Sequence, residues 1–183
     1  MSVHMLVGDS FLTTESLVLM RRSIAPPDLL EANSHYMSSA EITLGQLKSM
    51  CDTLPFLAQN RLVVVEGLLE TFETQTARRG RKRRYSTGNL PGWDGLESYF
   101  ERMPPTTILV FKDKTVKSTN ALFVRLKQFA QIENLPTPKG SELIRWVSDR
   151  IKLKGSKISV AGLRLLVQHI GSNLWALDTE LEK

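Results

Sequence analysis

Two patterns of apolar and polar positions alternate along the first three quarters of the chain. Short apolar runs, clearest at 62–65 (Leu-Val-Val-Val) and 106–111 (Thr-Thr-Ile-Leu-Val-Phe), predict strands buried on both faces. Further strands are predicted at 3–8, 33–37 and 129–133. Helical spacing separates them, at 13–24 (capped by Thr13 or Thr14), 42–54, 96–103 and 118–128 (capped by Ser118). The alternation predicts parallel βαβ units, with helices covering both faces of one sheet.

The last quarter of the chain has a different, purely helical pattern. Three short segments with apolar residues on one side follow Pro138; the first ends at Gly155, the second begins at Ser159 and the third at Asn173. We therefore expect an α/β domain over 1–138 and a small lid domain of three helices over 139–183.

A polar segment at 73–95 is predicted to be a long loop inserted into the first domain. It carries six cations within seven residues: Arg78, Arg79, Arg81, Lys82, Arg83 and Arg84. The chain has a net charge of +5, but without these six it has 18 basic and 19 acidic residues. The basic character is thus local, and we interpret the run either as an unstructured insertion or as an arm that contacts DNA phosphates without reading bases.

The end of the first predicted strand lacks a phosphate-binding loop. Such a loop reads G-x-x-x-x-G-K-[ST], whereas this strand ends in Gly8, Asp9 and Ser10 with neither a second glycine nor a lysine. Asp9 and Glu15 moreover place carboxylates where a triphosphate would lie. We predict a degenerate nucleotide site at Gly8–Ser10 that binds no ATP, and we find no pattern for a catalytic triad.

The remaining composition excludes several classes of protein. The single cysteine, Cys51, cannot form an internal disulfide, and the three histidines lack partners at metal-ligand spacing. No apolar stretch is long enough to span a membrane, and no secretory signal is evident. We expect a cytoplasmic protein without a metal.

Four motifs carry a resemblance to a known family. They are His4–Leu12 (HMLVGDSFL), Leu54–Val65 (LPFLAQNRLVVV), Ile108–Phe111 (ILVF) and Gly171–Lys183 (GSNLWALDTELEK). In this order, and without a phosphate loop, they resemble the delta subunit of bacterial DNA polymerase III. The resemblance covers nearly the whole chain except the basic insertion.

The resemblance implies a P-loop-NTPase-like (AAA+) α/β domain and a helical lid that have lost ATP binding. It implies a non-catalytic subunit of the DNA-directed DNA polymerase III holoenzyme, which acts in the cytoplasm at the nucleoid and not at a membrane. The implied partners are the beta sliding clamp, clamp-loader subunits of the gamma/tau and delta-prime types, and primed DNA. Family members carry a third, collar domain, so we expect this chain to be a fragment.

In that family, two adjacent hydrophobic side chains just past the second long helix insert into a pocket on the clamp. The matching residues are Phe56 and Leu57, which follow Pro55. The residues themselves agree: Pro55 limits continuation of the helix, and adjacent helical side chains point about 100° apart, so both can hardly face the core. The apolar face of the preceding helix is assigned to Leu47, Met50, Cys51 and Leu54.

Other interpretations stay open from the residues alone. Phe56 and Leu57 could simply cover the edge of the core. The chain could be a stand-alone nucleic-acid-binding protein that uses Arg78–Arg84, an ATPase of the same fold, or a structural interaction module.

Overall fold

The computed structural model of the chain describes residues 2–40, 42–77 and 90–182. The chain divides into two compact units, Met1–Leu135 and Pro136–Lys183. The division therefore falls between Leu135 and Pro136, slightly before the boundary that the proline pattern suggested.

The first unit is built on a five-stranded parallel sheet with the strand order β2-β3-β4-β1-β5. The strands are β1 (Ser2–Gly8), β2 (Ser34–Ser38), β3 (Arg61–Glu66), β4 (Thr107–Asp113) and β5 (Gln131–Leu135). Because all strands run in one direction, their carboxyl ends meet at one edge of the sheet and their amino ends at the other. We call these the carboxyl edge and the amino edge.

Five α-helices of this unit are described: α1 (Ser10–Ile24), α2 (Leu44–Asp52), α3 (Leu68–Ala77), α4 (Leu96–Phe100) and α5 (Ala121–Leu126). On one face of the sheet, Leu17 and Ile24 of α1 pack with Leu62 and Val64 of β3. On the other face, residues of α2 to α5 pack with Val63, Val65 and the remaining core. The run 62–65 is therefore a strand buried on both faces, as its composition predicts.

Helices α1 and α5 are capped by other residues than predicted. Helix α1 starts at Ser10 and not near Thr13, because the Asp9 carboxylate accepts hydrogen bonds from the N–H groups of Phe11 (2.9 Å) and Leu12 (3.4 Å). Helix α5 is capped by Asn120 rather than by Ser118. In both cases the capping side chain is an amide or a carboxylate, which competes successfully with the nearby hydroxyl groups.

Two further expectations are wrong. Helix α3 extends to Ala77 and so occupies the first part of the segment predicted as a loop at 73–95. Its apolar residues Leu68, Leu69 and Phe72 are buried against the sheet, which stabilises a helix that the sequence pattern did not indicate. Leu54 was assigned to the buried face of α2, but α2 ends at Asp52 and Leu54 is 73% exposed.

The second unit consists of three helices, α6 (Ser141–Leu153), α7 (Val160–Ile170) and α8 (Leu174–Glu180). Ser159 caps α7 and Asn173 caps α8, as predicted. Leu143, Val147 and Ile151 on the buried side of α6 are joined in the interior by residues of the other two helices, Leu163, Leu174 and Leu177. Within the three described ranges, no helix combines the length and apolarity needed to cross a membrane.

Candidate functional site

The segment 53–60 connects α2 to β3 at the amino edge of the sheet, and we call it the tip. Its two central side chains are exposed: Phe56 is 59% and Leu57 is 77% accessible to solvent. An adjacent aromatic and aliphatic residue in this position form an apolar surface that is unfavourable in water unless a partner covers it. The structure thus places Phe56 and Leu57 outside the core.

The tip leaves the core because the inward positions of α2 are already filled. Leu47 and Cys51 are fully buried, and the Tyr99 hydroxyl donates to the Asp52 carboxylate (2.7 Å) at the last residue of the helix. Thr53 then adopts an extended backbone conformation and Pro55 follows. The next residues therefore cannot continue the buried face of α2.

Two features of the backbone determine the shape of the tip. Both backbone polar groups of Phe56 are hydrogen-bonded to the side-chain amide of Asn33. Leu57 has a positive φ of 49°, which is uncommon for a residue with a side chain and costs on the order of 1 kcal/mol. Beside Leu57, an open groove of about 650 Å³ separates the tip from the end of α1, at 22–26.

At the carboxyl edge, the turn after β1 packs closely against β5 and is hydrogen-bonded to it. The Asp9 N–H donates to the Leu135 carbonyl oxygen (2.7 Å), and a Cβ atom at Gly8 would lie only 2.0 Å from that oxygen. Gly8 is therefore required for the close approach of the turn to β5. The Asp9 carboxylate lies over the N-terminus of α1, where a phosphate would bind in a nucleotide-binding relative of this fold.

A cavity of about 300 Å³ opens next to this turn and is lined by Ser10, Glu66, Lys112 and Asp113, among others. The Lys112 ammonium group lies 3.1 Å from a Glu66 carboxylate oxygen and 3.1 Å from the Thr14 hydroxyl. The lysine charge is thus already engaged within the chain.

Asp113, at the end of β4, is only 3% exposed, and its Oδ1 accepts from the Glu70 N–H (3.0 Å) at the start of α3. Burial raises the pKa of the Asp113 carboxyl to about 7. The sequence pattern did not single out Asp113; an aspartate two residues after the apolar run 106–111 was the signal available for it.

The residues at the carboxyl edge do not fit a nucleoside triphosphate. A triphosphate needs backbone N–H groups and a lysine directed at it, but the α1 amides are bonded to Asp9 and Lys112 is bonded to Glu66. The Asp9, Glu66 and Glu70 carboxylates would also repel an anion. In the part of the chain that the structure describes, no cluster of three or more candidate ligands could hold a metal ion.

The predicted DNA-contacting run, Arg78–Arg84, lies outside the described residues. Its possible contact with DNA phosphates stays a prediction from the sequence.

Comparisons with known proteins rest on structure alone, because no family model and no curated protein matches the chain. The Bacillus subtilis DNA clamp loader delta protein superposes with a TM-score of 0.70 at 20% identity, covering 100% of this chain and 52% of that one. A RuvB variant from Thermotoga maritima gives 0.48 at 11% identity, covering 98% and 53%. Domain III of the T. maritima replication initiation protein DnaA gives 0.43 at 9% identity, covering 99% and 74%.

The chain has a clamp-loader delta fold. The expected fold class, a parallel sheet covered by helices and followed by a small helical unit, is thereby confirmed. The chain spans about half the length of the clamp loader delta protein. In this fold, the tip emerges from the amino edge, and the turn Gly8–Ser10, predicted to be a degenerate nucleotide site, lies at the carboxyl edge.

Proposed function

We propose that this chain acts as the delta-type subunit of a bacterial clamp loader. It binds the ring-shaped sliding clamp through Phe56 and Leu57, with Pro55 shaping the segment, and favours an open ring for loading onto primed DNA. The observation that carries the proposal is the exposed Phe56–Leu57 pair at the tip of a clamp-loader delta fold.

The size of the exposed pair is sufficient to anchor an interface. Burying one large apolar side chain stabilises a complex by about 1.5–3 kcal/mol, and interface hot spots consist of a few such residues. The tip offers two of them side by side, at 59% and 77% exposure, and its backbone at Phe56 is hydrogen-bonded to the buried Asn33 side chain. A preformed apolar anchor of this kind suits a hydrophobic pocket on a protein partner.

The carboxyl edge supports a subunit that does not hydrolyse ATP. Asp9 and Glu66 are bonded to the N–H groups and the lysine that phosphates would need, which supports a subunit that does not use ATP itself. In this proposal, gamma/tau-type partners supply hydrolysis, a delta-prime-type subunit completes the loader, and the chain contributes binding energy only.

Binding energy alone can open a ring, within a limit set by thermodynamics. A partner shifts an equilibrium between closed and open rings only by the ratio of its affinities for the two forms. The apolar pair would therefore have to bind more tightly to a clamp subunit at an opened interface than to one in a closed ring. Release follows when the hydrolysing partners change the geometry of the loader.

The test is the affinity of the chain for the sliding clamp of the same organism, measured by surface plasmon resonance. The Phe56→Ala/Leu57→Ala variant should bind at least about 100-fold more weakly than the wild type, since it loses most of two buried side chains. Its melting temperature should stay close to that of the wild type, because both side chains are exposed.

A matched control is Leu153→Ala, which removes a leucine of similar exposure (80%) from the second unit. This variant should bind the clamp like the wild type. Unchanged clamp affinity in the folded Phe56→Ala/Leu57→Ala variant would refute the assignment of the tip.

A further inference from the structure

The side-chain amide of Asn33 forms hydrogen bonds to both the N–H and the carbonyl group of Phe56. The Phe56 N–H donates to Asn33 Oδ1 (2.7 Å), and Asn33 Nδ2 donates to the Phe56 carbonyl oxygen (2.8 Å). The second proton of Nδ2 goes to the Leu29 carbonyl oxygen (2.9 Å). One amide group thus connects the tip to a chain segment 23 residues earlier.

The surroundings allow only one orientation of this amide. If the Asn33 oxygen and nitrogen exchanged places, the NH₂ group would face the Phe56 N–H, and the oxygen would face two carbonyl oxygens. Both donors of the amide and one lone pair of its oxygen are used. The Asn33 amide therefore binds the Phe56 peptide group in one specific orientation.

Asn33 itself is fixed to the sheet. It is fully buried, its N–H donates to the Leu29 carbonyl oxygen (3.2 Å), and its carbonyl oxygen accepts from the Leu62 N–H in β3 (2.8 Å). A buried asparagine must keep its polar groups satisfied, so breaking the contact with Phe56 is costly. Because Asn33 is bonded to the sheet, its side chain also fixes the position of the Phe56 peptide group relative to the sheet.

The held residue lies directly before the strained one. Leu57, with a φ of 49°, projects the more exposed of the two apolar side chains. An unfavourable backbone conformation persists only where its surroundings impose it. The bonds from Asn33 to Phe56 fix the chain immediately before Leu57, and the Asn60 N–H to Ile24 carbonyl contact (3.4 Å) fixes it after.

We propose that Asn33 is a positioning residue for partner binding: its amide holds the Phe56 peptide group so that Phe56 and Leu57 are presented in a binding-ready geometry. This inference rests on the proposed clamp binding by the tip. Asn33 touches no partner itself and acts through the order that it imposes before binding.

The first measurement uses the chain without any partner. In native-state hydrogen exchange followed by NMR, the Phe56 amide should exchange at least about tenfold more slowly than it does in Asn33→Ala, although it lies in an exposed segment. Amides of β3 and β4 should be affected only through overall stability. Equal exchange rates of the Phe56 amide in the wild type and in Asn33→Ala would show that Asn33 does not fix the Phe56 peptide group.

The second measurement is clamp affinity, with a matched control. Asn33→Ala should weaken clamp binding by about tenfold, the cost of ordering the tip on binding. Asn120 is a similarly buried asparagine that donates to the Leu69 carbonyl oxygen (2.8 Å) and caps α5 away from the tip. Asn120→Ala should therefore lower stability while leaving both clamp affinity and Phe56 exchange unchanged.

The outcomes separate the positioning role from the proposed function. If Asn33→Ala and Asn120→Ala weaken clamp binding equally, or if Asn33→Ala leaves it unchanged, Asn33 has no positioning role. If the wild type does not bind the clamp, the proposed function fails, whereas Phe56 exchange still decides whether the hold exists. If Asn33→Ala does not fold, Asn33→Leu replaces it in both measurements, since leucine has a side chain of similar shape without any hydrogen-bonding group.

Discussion

The two edges of the sheet differ in how far their side chains are engaged by the rest of the chain. At the carboxyl edge, where parallel α/β folds usually bind ligands, Asp9 and Lys112 are already bonded to groups of the same chain. At the amino edge, Phe56 and Leu57 remain exposed to solvent. At one edge the Asp9 carboxylate and the Lys112 ammonium group are bonded within the chain, and at the other edge an apolar surface stays exposed.

The distance between the edges makes this division possible. Strands of six or seven residues separate them by about 20 Å, at about 3.3 Å per residue. Changes that fill the carboxyl edge with carboxylates therefore do not reach the tip directly.

The largest effect on clamp binding is expected from a charge at the tip. Leu57→Asp should weaken clamp binding by at least about 100-fold, because a carboxylate would have to enter an apolar pocket. The same variant should be as stable as the wild type or slightly more stable, since aspartate tolerates the positive φ at this position better than leucine. Titration with the clamp and urea denaturation measure the two effects.

The control for this variant is Leu153→Asp, which places the same charge at an equally exposed leucine of the second unit. It should bind the clamp normally. A parallel loss of affinity in both variants would mean that the added charge, and not the tip, is responsible.

A smaller effect is expected at the carboxyl edge, where the pKa of Asp113 is raised to about 7. The folded state binds this proton more tightly than the unfolded state, so the stability that the proton provides is complete below about pH 4 and is lost as the pH rises to about 7. Asp113→Asn removes this loss. The variant should therefore gain stability relative to the wild type with rising pH, by up to a few kcal/mol.

The measurement is urea denaturation of both proteins from pH 4 to pH 8. The difference between them cancels the contribution of His4 and His35, whose pKa values burial lowers and which act in the opposite direction. Asp28→Asn, at an exposed position, is the control and should follow the wild-type curve. A constant difference between Asp113→Asn and the wild type would show that Asp113 does not titrate in this range.

Local patterns were sufficient for the parts of the fold that depend on local chemistry. The run 62–65 alternates its side chains between two cores, and its β-branched residues predict this directly. The exposure of Phe56 and Leu57 follows from a helix face that is already filled and from the proline before them. The role of Phe56 and Leu57 in binding a partner stays a prediction.

Long-range contacts account for what the sequence did not show. Helix α3 is fixed by Asp113, 43 residues away, which bonds the Glu70 N–H. The choice of Asp9 over Thr13 as the cap of α1 depends on a turn that is packed against Leu135 of β5. The contact between Asn33 and Phe56 spans 23 residues and has no local pattern.

The smallest expected effect tests whether the two edges are independent. Asp9→Ala leaves the Phe11 and Leu12 N–H groups without their capping carboxylate and should lower the free energy of unfolding by about 1 kcal/mol. Asp9→Asn, which can still cap α1, should cost only a few tenths of that. Clamp affinity, measured where both variants are fully folded, should equal that of the wild type, because the tip lies at the opposite edge. A loss of affinity in Asp9→Ala would show that the carboxyl edge still influences the partner surface, as it would in a fold whose nucleotide site remained coupled to binding.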